Sequence, residues 1–207
     1  MEYISEEQQV EQIKKWWAEN GNSIIIGIVL GVGGIMGWRF WTDHQISQSA
    51  QASTHFEAMM FAVENNQFEK AEKSANTIID DFSSTPYLVY SQLTLAKIQF
   101  EQKDYAKSVL TYQSIIDNNA SKSIAFLARK RLADVYIDQK QYEEALTVLG
   151  AEYPSSFAAA FEERKGDIYR YQGKKEEANS AYLLATVALT KAEDSQFLQQ
   201  KMDDLGR

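Results

Sequence analysis

The sequence predicts an all-α protein: one N-terminal transmembrane helix, then a solenoid of helical hairpins closed by a C-terminal capping helix. Three observations predict it. Ile24 to Trp38 is an unbroken run of apolar residues and glycine. From about Ser47 onward, apolar residues recur every three or four positions with no alternating β-branched run. A string of residue classes also repeats along the C-terminal part.

The apolar run comes first. Its nearest charges are Glu19 and Arg39, and all four tryptophans bracket it, Trp16 and Trp17 before and Trp38 and Trp41 after. As a helix rising about 1.5 Å per residue, Ile24 to Trp41 reaches about 27 Å, close to the hydrocarbon thickness of a bilayer. Arg39 can snorkel to the headgroups while Phe40 and the tryptophans occupy the interfaces. A water-soluble core helix is disfavoured, because five glycines (Gly27, Gly31, Gly33, Gly34, Gly37) would each cost it about 1 kcal/mol. In lipid the helical backbone has no competing solvent.

Ala50-Gln51-Ala52 resembles a small-residue cleavage site. Bulky residues and Asp43 separate it from the run, and the leader is acidic (Glu2, Glu6, Glu7, Glu11), unlike the basic leader of a signal peptide. An uncleaved anchor over 23–41 is therefore expected, with a short segment 1–22 before it and a domain 42–207 after it. Gly27, Gly31 and Gly34 fall along one side of the anchor, and Gly33 and Gly37 stand four apart. Such spacing admits close approach of another transmembrane helix. Lys14 and Lys15 precede the run, whereas Arg39 stands alone after it until Lys70. The positive-inside rule then puts 1–22 in the cytoplasm and 42–207 across the membrane.

Residues 42–207 are enough for one domain with a sizeable core. Only two prolines occur, and glycine is sparse after the anchor (Gly150, Gly166, Gly173, Gly206), so long helices with short connections are expected. From residue 42 onward, 18 Lys or Arg face 24 Asp or Glu, a net charge of −6 with the signs interspersed. That is opposite to a nucleic-acid footprint. The absence of cysteine excludes disulfides, thiolate metal sites and cysteine nucleophiles.

Three segments align within the domain: Leu95 to Ser108, Leu132 to Ala145 and Lys165 to Ala178, with a fainter copy around Phe68 and Ala71. The small residue late in each unit (Ala71, Ser108, Ala145, Ala178) recurs at spacings of 37, 37 and 33. Packing accounts for the pattern. A small residue in the first helix (Ala96, Ala133, Gly166) lets a second helix approach, that helix's own small residue reciprocates, and Tyr105 or Tyr142 fills the space beside the turn. This resembles the tetratricopeptide repeat, a helix, a turn and an antiparallel helix stacked into a right-handed solenoid. Gln99 departs from it, standing where a tyrosine is usual. About four hairpins are expected, with a helix near Glu193 to Leu205 capping the stack.

The tetratricopeptide resemblance implies a concave groove lined by the first helix of each hairpin. Its consensus positions fall on Tyr90, Lys97, Phe100 and Glu101, then Lys130, Asp134 and Asp138, then Glu163, Asp167, Arg170 and Tyr171. Mixed charge with aromatics suits a protein or peptide better than an anion.

Trp16-Trp17-Ala18-Glu19-Asn20-Gly21, Gly31-Val32-Gly33, Gly37-Trp38-Arg39-Phe40-Trp41 and His44-Gln45 together resemble the YfgM-type ancillary subunits of the bacterial Sec translocon. That resemblance implies a single-pass inner-membrane protein with a periplasmic repeat domain. It also implies two partners, SecYEG and a membrane-anchored prolyl-isomerase-type chaperone, PpiD, and a role in passing translocated proteins to periplasmic chaperones.

Catalytic chemistry is not expected. His44 and His55 are the only histidines, with no carboxylate cluster at metal-ligand spacing. The doublets Asp80-Asp81, Glu143-Glu144, Glu162-Glu163, Glu176-Glu177 and Asp203-Asp204 point about 100° apart on a helix and do not converge. No phosphate-binding loop is present. A membrane-tethered adaptor is thus expected, with no cofactor, metal or small-molecule substrate. The alternative is a regulator whose repeats sequester a cytoplasmic factor, which requires the opposite orientation.

Overall fold

The structure, a computed structural model, describes residues 6–118, 121–189 and 195–206. Glu2 of the acidic leader and Glu193 at the expected start of the capping helix lie outside them. The regular elements are α1 (Glu6–Glu64), α2 (Phe68–Asp81), α3 (Tyr87–Glu101), α4 (Tyr105–Asp117), α5 (Lys122–Asp138), α6 (Tyr142–Gly150), α7 (Ser155–Tyr171), α8 (Lys175–Ala188) and α9 (Ser195–Leu205). The chain divides into two compact units, Met1–Gln51 and Ala52–Arg207.

In the first unit the apolar run is helical with none of its residues buried, and α1 is long and apolar enough to cross a membrane. A Cβ added at Gly27, Gly31, Gly33, Gly34 or Gly37 would meet nothing within 4 Å. Thr42 Oγ1 donates to the Trp38 carbonyl at 3.0 Å, and the Trp38 and Trp41 rings lie 5.3 Å apart. The expected borders at 22/23 and 41/42 both fall inside α1, so no helix end marks either one.

The second unit is a succession of hairpins: the end of α1 with α2, α3 with α4, α5 with α6, and α7 with α8. Each helix from α2 to α9 packs on its neighbour in sequence, and α5 also touches α7. Such near-neighbour packing characterises a stack of repeats. The first helix of the first hairpin is α1 itself, whose Met59 and Ala62 are buried with Ala71 and Ala75 of α2 and Leu95 and Ile98 of α3. Ala52, in the triplet that resembles a cleavage site, is fully buried beside Ile78 and Phe82.

Every hairpin turns in the same way. Asn66, Lys103, Lys140 and Gly173 have φ of 55°, 65°, 60° and 75°, at the 37, 37, 33 spacing of the repeat. In the second hairpin Lys103 N donates to Phe100 O at 2.9 Å and Asp104 N to Gln99 O at 2.8 Å, and the other three turns repeat this pair. This is the Schellman arrangement, in which a left-handed residue lets the last carbonyls of a helix find donors. Glycine fills that place only at Gly173.

The small residues sit where packing requires. Ala71, Ser108, Ala145 and Ala178 are fully buried, as are Ala96 and Ala133. Ser108 Oγ donates to the Ala96 carbonyl at 2.8 Å. Gln99, the departure from tyrosine, is buried and accepts from Thr111 Oγ1 at 2.8 Å, joining α3 to α4. Arg129 is also buried, and its guanidinium donates to the carbonyls of Val148, Ala151 and Glu152, closing the end of α6.

The terminal helix α9 is a fifth copy of the first helix of a hairpin. Leu198, Lys201 and Leu205 lie 37 residues after Phe161, Arg164 and Ile168, and Leu198 and Leu205 are buried like Phe161 and Ile168. Asp203, exposed, stands where Ala96, Ala133 and Gly166 admit a second helix. A carboxylate there bars another hairpin helix, because burying it would require a partner charge. This is how α9 caps the stack.

Candidate docking groove

The first helices α3, α5 and α7 bring the groove residues together on two adjoining cavities. One, of about 380 Å³, has an apolar floor of Leu93, Phe100, Tyr112, Leu127 and Val135 beneath Lys97, Glu101, Arg131 and Asp134. The other, of about 200 Å³, is lined by Phe100, Asp134, Ile137, Asp138, Arg164, Asp167 and Tyr171. Phe100 and Asp134 border both. Of the residues at consensus groove positions, Lys97, Phe100, Glu101, Asp134, Asp138, Asp167 and Tyr171 line these cavities. Tyr90 borders a separate hollow near Pro86 and Ile124, and Lys130, Glu163 and Arg170 line neither cavity.

Charge in the groove is neutralised by the protein itself. Arg164 Nε lies 2.9 Å from Asp134 and its Nη1 2.8 Å from Asp167. Lys201 of α9 lies 2.7 Å from both Asp167 and Glu163. Arg131 approaches Asp134 at 3.7 Å, so one ionic ladder runs from α5 through α7 to α9. Asp167 is almost wholly enclosed and accepts in addition from Tyr182 Oη at 2.8 Å. At the other end, Asp138 takes Lys103 at 3.1 Å and the Tyr105 hydroxyl, tying the second hairpin to the third. Tyr171 stacks on Tyr142, centroids 6.3 Å apart, and the Arg170 guanidinium lies over the Tyr171 ring.

The titration directions follow from burial and partners. Burial raises the Asp134 carboxyl above its ordinary value, against the pull of Arg164. Burial acts likewise on Asp167, but bonds from Lys201 and Tyr182 overcome it and hold that carboxyl below the usual range. Lys130 is lowered by burial and then by Arg164. The Tyr112 hydroxyl is pushed up to about 12 by burial.

Consensus positions alone did not include Leu93, Leu127, Arg131 or Arg164. Their signal is in the repeat register, since Leu93 and Leu127 align with Lys130 and Tyr90 at spacing 37, and Arg131 and Arg164 stand 33 apart. His55 lines neither cavity and rests against the Phe82 ring at 5.6 Å.

A family model described as tetratricopeptide repeat-like domain matches residues 14–207. The chain is 32% identical over 203 residues to the ancillary SecYEG translocon subunit of Haemophilus influenzae, covering 98% of each. It is 27% identical over 206 residues to the protein of the same description in Escherichia coli, again covering 98% of each. Among solved structures it is similar to a MamA double mutant (MamA RS-1 ArsTM), 18% identical with a TM-score of 0.53, over 75% of this chain and 86% of that one. That last likeness bears on the fold alone.

Proposed function

This chain belongs to the family of ancillary SecYEG translocon subunits with a tetratricopeptide repeat-like domain, and from that premise we propose that it is a non-enzymatic adaptor of the bacterial inner membrane. In this reading residues 1–22 lie in the cytoplasm, 23–41 span the bilayer beside the SecYEG translocon, and 42–207 stand in the periplasm. There the repeat domain recruits a PpiD-type chaperone, so that proteins leaving the channel pass to the periplasmic chaperones. The observation that carries the reading is a likeness running through the apolar helix as well as the hairpins.

The groove supports a polypeptide partner over a small ion. Its floor is apolar and its rim charges are already paired, so a simple anion or cation would have to displace an internal partner. Apolar side chains entering the cavity floor lose only water. The glycine faces of the anchor, open on every side, supply close-approach surface for a helix in lipid.

Photo-crosslinkers placed along the Gly27, Gly31 and Gly34 face and at Tyr90, Lys130 and Tyr171 test the proposal in native membranes. Translocon subunits are expected at the first set and the chaperone at the second; absence of any specific adduct overturns it. Protease added to spheroplasts tests the orientation. A repeat domain sheltered from that protease rejects the periplasmic adaptor in favour of a cytoplasmic regulator.

A further inference from the structure

We infer that the larger groove cavity takes a carboxylate from outside, and that its occupant is an internal stretch of another polypeptide carrying an Asp or Glu side chain beside a large apolar one. This deepens the reading of the groove as a polypeptide site proposed above, and rests on it. The register of the ionic ladder singles the cavity out. Lys201 of α9 pairs back to Asp167 of α7, and Arg164 of α7 pairs back to Asp134 of α5. One repeat earlier, the place of the cation holds Arg131 of α5, but the place of the carboxylate holds Lys97 of α3. Two cations therefore share the rim of the cavity of about 380 Å³, where the ladder elsewhere sets a cation against an acid.

Neither cation has a close partner of its own. Arg131 turns to Asp134 within its own helix at 3.7 Å, yet that carboxylate is already held by Arg164 at 2.9 Å. Lys97 reaches Glu101, also within its own helix, at 3.5 Å. The Lys97 and Arg131 side chains are 65% and 54% exposed, and exposed pairs of this kind contribute little. An arriving carboxylate bridges the two cations and leaves the close pair of Arg164 with Asp134 intact.

The floor decides what carries that carboxylate. Leu93, Phe100, Tyr112, Leu127 and Val135 lie beneath the rim. A free anion leaves them in water, whereas an apolar side chain next to the acid covers them. The groove also continues at both ends. Phe100 and Asp134 border the next cavity, toward the C-terminal ends of α3 and α5, and Tyr90 borders the hollow toward the N-terminal end of α3. A site open in both directions admits a stretch of chain in passage, with a side chain and not a terminus supplying the charge. Glu101, one turn beyond Lys97 on α3, repels a carboxylate at its own position and so fixes where the acid sits.

The test uses the full chain in native membranes, with a photoreactive diazirine side chain in place of Leu127 and the adducts mapped by mass spectrometry. The expected adduct lies on another protein, within one helical turn of an Asp or Glu inside its sequence. Lys97→Asp fills the vacant place from within and should lower the yield at least about ten-fold, as loss of a charge-assisted contact does. Arg131→Gln should act in the same direction, and Lys97→Arg, which keeps the charge, should leave the yield unchanged; circular dichroism checks that each variant stays helical. A yield that survives Lys97→Asp and Arg131→Gln overturns the inference. So do adducts that map only to lipid, to a second copy of the chain, to a chain terminus or to a segment without Asp or Glu, and so does a silent Leu127 probe. A second probe at Tyr90 separates the two readings. Polypeptide adducts from Tyr90 beside any of those results leave the groove reading standing; no polypeptide adduct from either position overturns both.

Discussion

Gly166→Ala should destabilise the repeat domain although alanine is the better helix former. A Cβ on Gly166 would lie 2.5 Å from both Cδ1 and Cε1 of Tyr182, against an ordinary carbon contact of about 3.5–4.0 Å. The ring has nowhere to retreat: it is fully buried, and its hydroxyl is bonded to Asp167, which also holds Lys201 of α9. Either α7 and α8 separate by about 1 Å, an overpacking cost of about 1–3 kcal/mol, or the tyrosine gives up a bond to a buried carboxylate, about 1.5–3 kcal/mol. The helix propensity of alanine returns about 1 kcal/mol. The net loss is about 1 kcal/mol, which for a domain of this size lowers the thermal midpoint by about 2–4 °C.

Circular dichroism melts of the full chain in mild detergent measure that shift. The third hairpin supplies the control, since Ala133 and Leu149 occupy the places of Gly166 and Tyr182 there and both are fully buried. Adding Tyr182→Leu to Gly166→Ala should therefore recover part of the loss, the part due to the clash. A single Gly166→Ala variant melting at or above the wild-type temperature would refute the reasoning.

Three further outcomes are expected. Arg129→Met strands the carbonyls of Val148, Ala151 and Glu152 at the end of α6 and should cost about 3 kcal/mol, read as a drop in the thermal midpoint. Lys140→Gly relieves a left-handed lysine at φ 60° and should raise the midpoint by about 1 kcal/mol equivalent, while Gly173→Ala at φ 75° should lower it similarly. Asp167 is held below its ordinary range in the fold, so its charge contributes stability above the unfolded value of about 3.9 and loses it as pH falls through the folded value. The midpoint gap between wild type and Asp167→Asn should be full at pH 7 and close below about pH 4; Asp134, raised by burial, contributes in the opposite sense, so only single-site differences are diagnostic.

The hairpins were legible because packing writes itself into sequence: a residue buried between two helices must be small, and Ala71, Ser108, Ala145 and Ala178 are. The sequence located α9 as a cap, but the same criterion hid its kinship with the first helices, since Asp203 replaces the small residue that served as their marker. Only Leu198, Lys201 and Leu205, at a spacing of 37 from their counterparts, reveal it. The role of α1 in the first hairpin was hidden differently, because the apolar positions beyond Trp41 carry no break to separate anchor from repeat. In the groove, consensus positions located the face but not the state of its charges. Whether Asp167 is free or enclosed depends on Arg164, Tyr182 and Lys201, which come from three helices.

The ladder gives those charges a reason that the groove reading alone does not supply. Arg131, Arg164 and Lys201 occupy one register position in three successive first helices, and Asp134 and Asp167 occupy another. Arg164 pairs back to Asp134, and Lys201 pairs back to Asp167. A cation in α7 and another in α9 thus fasten each of these helices to the aspartate of the first helix before it, while Arg131 of α5 pairs within its own helix. Buried pairs of this kind contribute little net stability against apolar alternatives but penalise a missing partner heavily. They therefore favour one arrangement of helices over others. The aspartates at consensus groove positions in the last two hairpins consequently serve the stack, and the face left for a partner moves toward Leu93, Phe100 and Leu127, where the floor is apolar and no ion pair has to be broken.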